Sequence, residues 1–333
     1  MFYPRTWATC QLSTSNRFIK SALFRQNKGQ VFDSKYGRLV THLCIVLIFF
    51  RSLILSIGPG RRTYMTEIFE NIRQLYQFRT FSNELAEFVE FVSESSAIQT
   101  YRHVADQPFT IRMFPSWTPT FYINLGQPYH LVLGAAHHWI HKDADVLILR
   151  NNIVERHNLP TDHILTIKFY PGGLEAILGI NQVQFIDQVI KLEAILPLSL
   201  LQRIKQLPQF DQRIGLIEHY FLGQYQTRKK ADYYRQIVSS TIGTFDQSGM
   251  QLNTSQLADR MFNTSKTINR YFHRVVGTSP KQYLSVMRAR SALTTFVNQP
   301  HRFDPVSFGY YDLSHFHKSI RQFTGQSLAS QRH

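Results

Sequence analysis

Two passages near the carboxyl end of this chain repeat each other at a fixed interval. VVGTS at 275–279 is echoed by FTGQS at 323–327, and Gly277 and Gly325 stand 48 residues apart. A repeat of that length describes one small supersecondary unit made twice. The first copy is well punctuated. In NTSQLADRMF, Asn253 is followed three residues later by Gln256, the capping-box spacing that starts a helix with Leu257, Ala258 and Met261 inward. Thr264 or Ser265 then caps a second helix, KTINRYFHRVV, which Gly277 ends as a left-handed cap. Two short helices joined by two or three residues cross steeply, which is helix-turn-helix geometry.

Side-chain chemistry within the second helix divides by face. Ile268, Phe272 and Val275 recur at i, i+4 and i+7 and point toward the first helix. Lys266, Asn269, Arg270 and His273 share the opposite face. Arg pairs with guanine edges, Asn with adenine edges, and Lys with phosphate or guanine in a major groove. A solvated polar face is the competing reading, and the steep pairing and local charge argue against it. Pro280 opens a helix of 18 residues, PKQYLSVMRARSALTTFV, about 27 Å long. A rod of that length suits two reading heads set one DNA turn apart. The second copy follows in FDPVSFGYYDLSHFHKSIRQFTGQS. There Gly309 makes the turn, Asp312 caps, Phe316 and Ile320 face inward, and Ser314, His317, Lys318 and Arg321 face outward.

Charge follows the same division. Residues 1–64 hold 10 basic against 1 acidic side chain, residues 65–254 hold 16 against 18, and residues 255–333 hold 11 against 3. The net +15 therefore sits at the two ends, and a basic folded end favours polyanions. The only cysteines, Cys10 and Cys44, both lie in the first block. A disulfide framework, a thiolate metal site and a cysteine nucleophile are thereby excluded from the rest, which fits a reducing compartment.

Between the basic ends, FTIRMF, TFYINLG, YHLVLGAA, DVLILR and ILTIKFYPGG are short β-branched and aromatic runs bounded by turn residues. They predict strands of an antiparallel sheet or small barrel. VQFIDQVIKLEAILPLSLLQRIKQL and DQRIGLIEHYFLGQYQ predict two or three helices interrupted at Pro197 and Pro208. The stretch from Met65, with Ile68, Ile72, Leu75, Leu85, Phe88 and Val92 near helical spacing, predicts an amphipathic helix. His137, His138 and His141 lack a carboxylate or thiol to complete a ligand set, so they are expected at the surface or in a turn, with no metal bound. Trp117 and Trp139 are expected in the core rather than around a ligand. The sequence has no Gly-rich phosphate loop, G-x-S-x-G elbow or H-E-x-x-H pattern, and no catalytic residue is assigned.

Residues 1–64 stand apart. Leu39 to Ile57 is apolar except for Thr41, His42, Arg51, Ser52 and Ser56, close to the length of a bilayer span. Arg51 sits two thirds along it, and an arginine near a helix centre costs about 2.5 to 3.5 kcal/mol. Three readings stay open: a start assigned too early with translation from Met65, a membrane anchor, and a basic arm.

Residues 235–333 resemble the tandem helix-turn-helix domain of the AraC/XylS family of bacterial transcription regulators. The matching text is Leu257 and Ala258, then Ile268, Arg270 and Phe272, GTSPKQYL, Arg288 and Ala292, GYYDLSHFHK, and FTGQS. Carried over by position, Ser265, Lys266, Asn269 and Arg270 correspond to the base-reading face of the first unit, and Ser314, His317 and Lys318 to that of the second. The second unit departs from the pattern: its leading helix is compressed around Pro305, Lys318 replaces an Arg, and Leu328 replaces a Pro. These departures favour phosphate contacts there. YPGGLEAILGI and FIDQVIKLEAIL more weakly resemble the regulatory domains attached to some members.

The expected fold is α+β: a mixed β-sheet or barrel-like amino-terminal domain with helices, then an all-α domain of two helix-turn-helix units joined by a long helix. The expected boundaries are a leader over 1–64, a regulatory and dimerising domain over 65–226, a linker over 227–234 and the DNA-binding domain over 235–333. The resemblance implies double-stranded DNA as partner, with RNA polymerase, a small-molecule effector and a second copy of the chain as further candidates. It also implies no cofactor and no enzymatic activity. A cytoplasmic location is expected, with inner-membrane attachment through residues 39–57 as the alternative.

Overall fold

The computed structural model describes residues 63–66, 75–228 and 232–328. Residues 1–62 of the leader with the apolar run 39–57, the two positions Ile68 and Ile72, and linker residues 229–231 lie outside the described residues.

Two sheets are present. The first has the order β1 (Thr63–Thr66), β4 (Phe109–Met113), β9 (Val154–Asn158), β6 (Tyr129–Leu133), β7 (Ala136–Ile140), with β1 parallel to β4 and the other pairs antiparallel. The second is antiparallel throughout. Its order is β11 (Val189–Lys191), β8 (Val146–Leu149), β5 (Pro119–Asn124), β10 (Ile164–Phe169), β3 (Val89–Ser95), β2 (Tyr76–Arg79).

The burial patterns explain why these sequences suit their places. Every residue of β5, β8 and β10 is buried, because the second sheet is covered on both faces. Strands β6 and β9 instead alternate buried with half-buried positions, as strands with one solvated face do. Between the sheets lies a core of Phe109, Ile111, Tyr122, Tyr129, Leu131, Ile148 and Ile164, among others. Arg156 is buried there, donating to Tyr76 Oη and Asn158 and pairing with Asp162 at 3.6 Å, so its charge is compensated.

On the far face of the second sheet pack α2 (Gly173–Leu178), α3 (Leu198–Gln206) and α4 (Phe210–Arg228), while α1 (Ala97–Val104) follows β3. After the linker come α5 (Tyr233–Gln247), α6 (Thr254–Arg260), α7 (Ser265–Val275), α8 (Pro280–Asn298) and α9 (Leu313–Thr324). The core over the second sheet runs on without a break into the first of the carboxyl-terminal helix pairs, joining Phe88, Leu174 and Phe221 to Val238, Leu257, Ile268 and Phe272. A separate core forms around the second pair and takes in Phe114 from the loop after β4.

Three sequence expectations are corrected. The described residues of the stretch after Met65 form no long amphipathic helix: Thr63–Thr66, Tyr76–Arg79 and Val89–Ser95 are strands with a short 3-10 turn at Glu84–Glu87. Its apolar residues are spaced loosely enough to suit either period, and pairing of β2 with β3 and of β3 with β10 decides the outcome. Nor is VQFIDQVIKLEAIL helical, since Val189–Lys191 pairs with β8 as an edge strand between two 3-10 turns, although α3 and α4 do begin just after Pro197 and Pro208. Trp117 is core, but Trp139 is 50% exposed, because it lies on the solvated edge strand β7. His137, His138 and His141 lie at or near the surface, and among the described residues no group of three or more potential metal ligands occurs.

Candidate nucleic-acid interface

Local capping sets the first carboxyl-terminal helix pair. Asn253 accepts from Gln256 N while the Gln256 side chain accepts from Asn253 N, closing both halves of the capping box of α6. Its end is a Schellman turn: Phe262 N–H donates to Asp259 O and Asn263 N–H to Ala258 O. The residue at the left-handed position is Phe262, with φ 52°. Thr264 then caps α7, accepting from Thr267 N at 3.1 Å.

Helix α7 buries Ile268, Tyr271, Phe272 and Val275. Ser265, Lys266, Asn269, Arg270 and His273 are all exposed. Tyr271 completes the buried face, set edge-on to Tyr233 and Tyr234 of α5. The Arg270 guanidinium lies 5.3 Å from the centroid of the Tyr271 ring, an aromatic rest for a side chain otherwise in solvent.

The second pair is shorter. Its leading element is only a 3-10 turn, Val306–Phe308, begun by Pro305 and closed by Gly309 at φ 74°. Asp312 caps α9 by accepting from His315 N at 2.7 Å. Phe316 and Ile320 are fully buried, and Ser314, His317, Lys318 and Arg321 are exposed. The nine polar residues singled out from the sequence therefore all lie at the surface, on two helices of the same register relative to their N-caps.

Arg288 of α8 ties the two pairs together. It donates to Met250 O at 2.6 Å and lies over the rings of Phe245 and Tyr310. Burial holds this guanidinium below its usual pKa.

Both surface helices are held at their carboxyl ends by the β-containing half. Asn181 donates to Arg274 O at 3.0 Å, and Gln182 donates to Val276 O at 2.9 Å and to Trp117 O at 3.1 Å. Glu175 pairs with Arg274 at 3.4 Å, and burial raises its carboxyl pKa against the lowering effect of that arginine. Gly172, at φ 76°, passes so close that a Cβ there would lie 2.9 Å from Val275. On the other pair, Arg112 donates to Thr324 O at 3.0 Å. The amino-terminal halves of α7 and α9 instead present Lys266, Asn269, His317 and Lys318 as exposed side chains.

Sequence reading passed over two features beside these helices. Phe262 is 97% exposed and Tyr311, just before the Asp312 cap, is 88% exposed. The signal for Phe262 was available, since a bulky residue occupies a turn position that prefers glycine. Gln182 and Asn181 carried no sequence signal, because their roles depend on the fold bringing distant backbone carbonyls to them.

Neither the family models nor the curated proteins compared with the sequence give a match. Among solved structures, the chain is similar to ToxT from Vibrio cholerae, at 9% identity and a TM-score of 0.40 over 66% of this chain and 95% of ToxT. A structure of ToxT with a bound unsaturated fatty acid aligns at 10% identity and 0.36, over 67% of this chain and 93% of that one. The AraC-like transcriptional activator CuxR aligns at 8% identity and 0.24, over 66% of this chain and 88% of CuxR. Likeness at these identities and scores assigns no function.

Proposed function

We propose that the chain is a sequence-specific DNA-binding transcription regulator of the AraC/XylS type, acting through binding rather than catalysis. Two helix-turn-helix units, within residues 235–333, lay α7 and α9 in major grooves, and the domain over 65–226 regulates or dimerises them. One observation carries this reading: the exposed ridges of α7 and α9 hold the side-chain types that read DNA, each at the same distance from a capped, unobstructed helix start. The motif resemblance over the last third of the chain supports it independently.

Ser265, Lys266, Asn269, Arg270 and His273 form the reading face of the first unit. In the second, Ser314, His317, Lys318 and Arg321 include two cations suited to phosphate. Lys318 and the shortened leading turn support a unit that grips the backbone more than it reads bases. Among the described residues no helix is long and apolar enough to cross a membrane, which leaves the anchoring alternative to residues 39–57.

Affinity selection of the full chain against randomised duplexes tests the reading. Enrichment of a motif with a strongly specified box and a weaker one about one helical turn away is expected. Recovery of an unenriched pool would refute sequence-specific recognition.

A further inference from the structure

A solvent-facing aromatic ring stands at the mouth of the first reading helix, on a backbone that does not favour it. Phe262 is 97% exposed, lies two residues before the Thr264 cap, and has φ 52° at the position of a Schellman turn where glycine is preferred. Packing among the described residues offers no compensation: the ring is 97% exposed, whereas its neighbours Leu257, Ala258 and Ile268 are fully buried. The equivalent end of the second reading helix carries a counterpart, Tyr311, directly before the Asp312 cap and 88% exposed. An exposed aromatic thus recurs at the same end of both copies of the repeat. Around Phe262 the exposed side chains are mainly cationic, with Arg260, Lys266 and Arg270 against Asp259. That combination suits the charged and apolar parts of a duplex better than an acidic or wholly apolar protein surface.

Because the reading helix of such a unit enters the groove amino-terminal end first, a side chain just ahead of the cap meets the DNA along with the base-reading residues. We propose that Phe262, with Tyr311 as its counterpart, is a further DNA-contacting residue that packs on an apolar part of the duplex, a thymine methyl in the groove or a deoxyribose beside it. This rests on the regulator reading above and adds to it an apolar contact beside the polar ones.

The fold gives the test a built-in control, since Phe262→Gly and Phe262→Asn both suit the left-handed turn better than Phe does. Both variants are expected to melt at or above the wild-type temperature while binding the selected duplex at least about fivefold more weakly, as loss of a partly buried ring implies. Replacing each thymine of the duplex by uracil in turn separates the two apolar sources. One position whose methyl matters to wild type but not to Phe262→Gly identifies a methyl contact, and no such position identifies deoxyribose.

Wild-type affinity in both glycine and asparagine variants would overturn the proposal, even if transcription from a cognate promoter fell, because the ring would then be meeting a protein of the transcription machinery. Arg270→Ala serves as comparator. If it loses affinity while the Phe262 variants do not, the regulator reading stands and this inference falls. If no duplex is selected by wild type, the regulator reading itself falls.

Discussion

Among individual residues, Arg270 makes the sharpest commitment. It is exposed on α7, one turn from Lys266, and rests on Tyr271, which limits the conformations it must give up on binding. A bidentate Arg contact to guanine contributes about 1 to 3 kcal/mol of discrimination. Arg270→Ala is therefore expected to weaken the selected site roughly 5- to 150-fold and to flatten preference at one base pair. A titration against the selected site and against single-base variants checks both effects. Equal affinities and an unchanged preference would remove Arg270 from the reading face. Phe262 illustrates the opposite economy of the same turn, in which a left-handed conformation costs a bulky L-residue about 1 to 2 kcal/mol that glycine does not lose.

At the scale of elements, legibility followed how locally each one was determined. The capping box at Asn253, the Thr264 and Asp312 caps and the glycine turns could be read directly because side-chain oxygens and left-handed positions are local requirements. Strands β5, β8 and β10 were legible as short runs rich in β-branched and aromatic residues between turn residues. Strands β7 and β9, AHHWI and VERHN, were not, since they place polar side chains outward and depend on neighbours for their pairing. That outward face carries a testable feature. His130 of β6 stacks on His137 of β7 and His157 of β9, with ring centroids 5.1 and 5.4 Å away. Burial, then the neighbouring His137 and His138, hold the His130 pKa below that of a free imidazole. Thr110 binds His157, and Glu155 lies 3.9 Å from it, so the stack has one carboxylate at its far end. With the folded pKa depressed, the unfolded chain takes up the proton first, and stability falls as pH drops through the unfolded value near 6.5. Thermal midpoints should fall between pH 7.5 and 5.5, and fall less in His130→Gln. Parallel declines in the two proteins would show that the stack contributes nothing to acid sensitivity.

For the whole molecule, two consequences follow from joining a near-neutral β-containing half to a basic helical one. The first is a response to salt. If Lys266, Arg270, Lys318 and Arg321 each displace one counterion, the logarithmic slope is about −3.6, and affinity falls roughly 150-fold between 50 and 200 mM salt. A flat dependence would mean that these cations do not meet phosphate. The second consequence concerns the shared core, because the reading helix α7 is not an independent module. Its carboxyl end is tied through Gln182, whose buried side chain accepts from Gly172 N at 3.0 Å while donating to Trp117 O and Val276 O. Removing that amide strips a partner from three backbone groups belonging to both halves, and unsatisfied buried groups are more damaging than a lost surface bond. Gln182→Ala should lower stability by about 3 kcal/mol, read as an earlier denaturant midpoint. Gln182→Leu, which refills the volume without the hydrogen bonds, separates the causes: if satisfaction of the backbone dominates, Leu fails to restore the midpoint, and if the cavity dominates, it does. Wild type should lose circular dichroism and tryptophan fluorescence together, since Trp117 lies at the junction, whereas in Gln182→Ala the two signals should part as α7 loosens before the sheets. An alanine variant with the wild-type midpoint and coincident signals would show that the halves are held together by apolar packing alone.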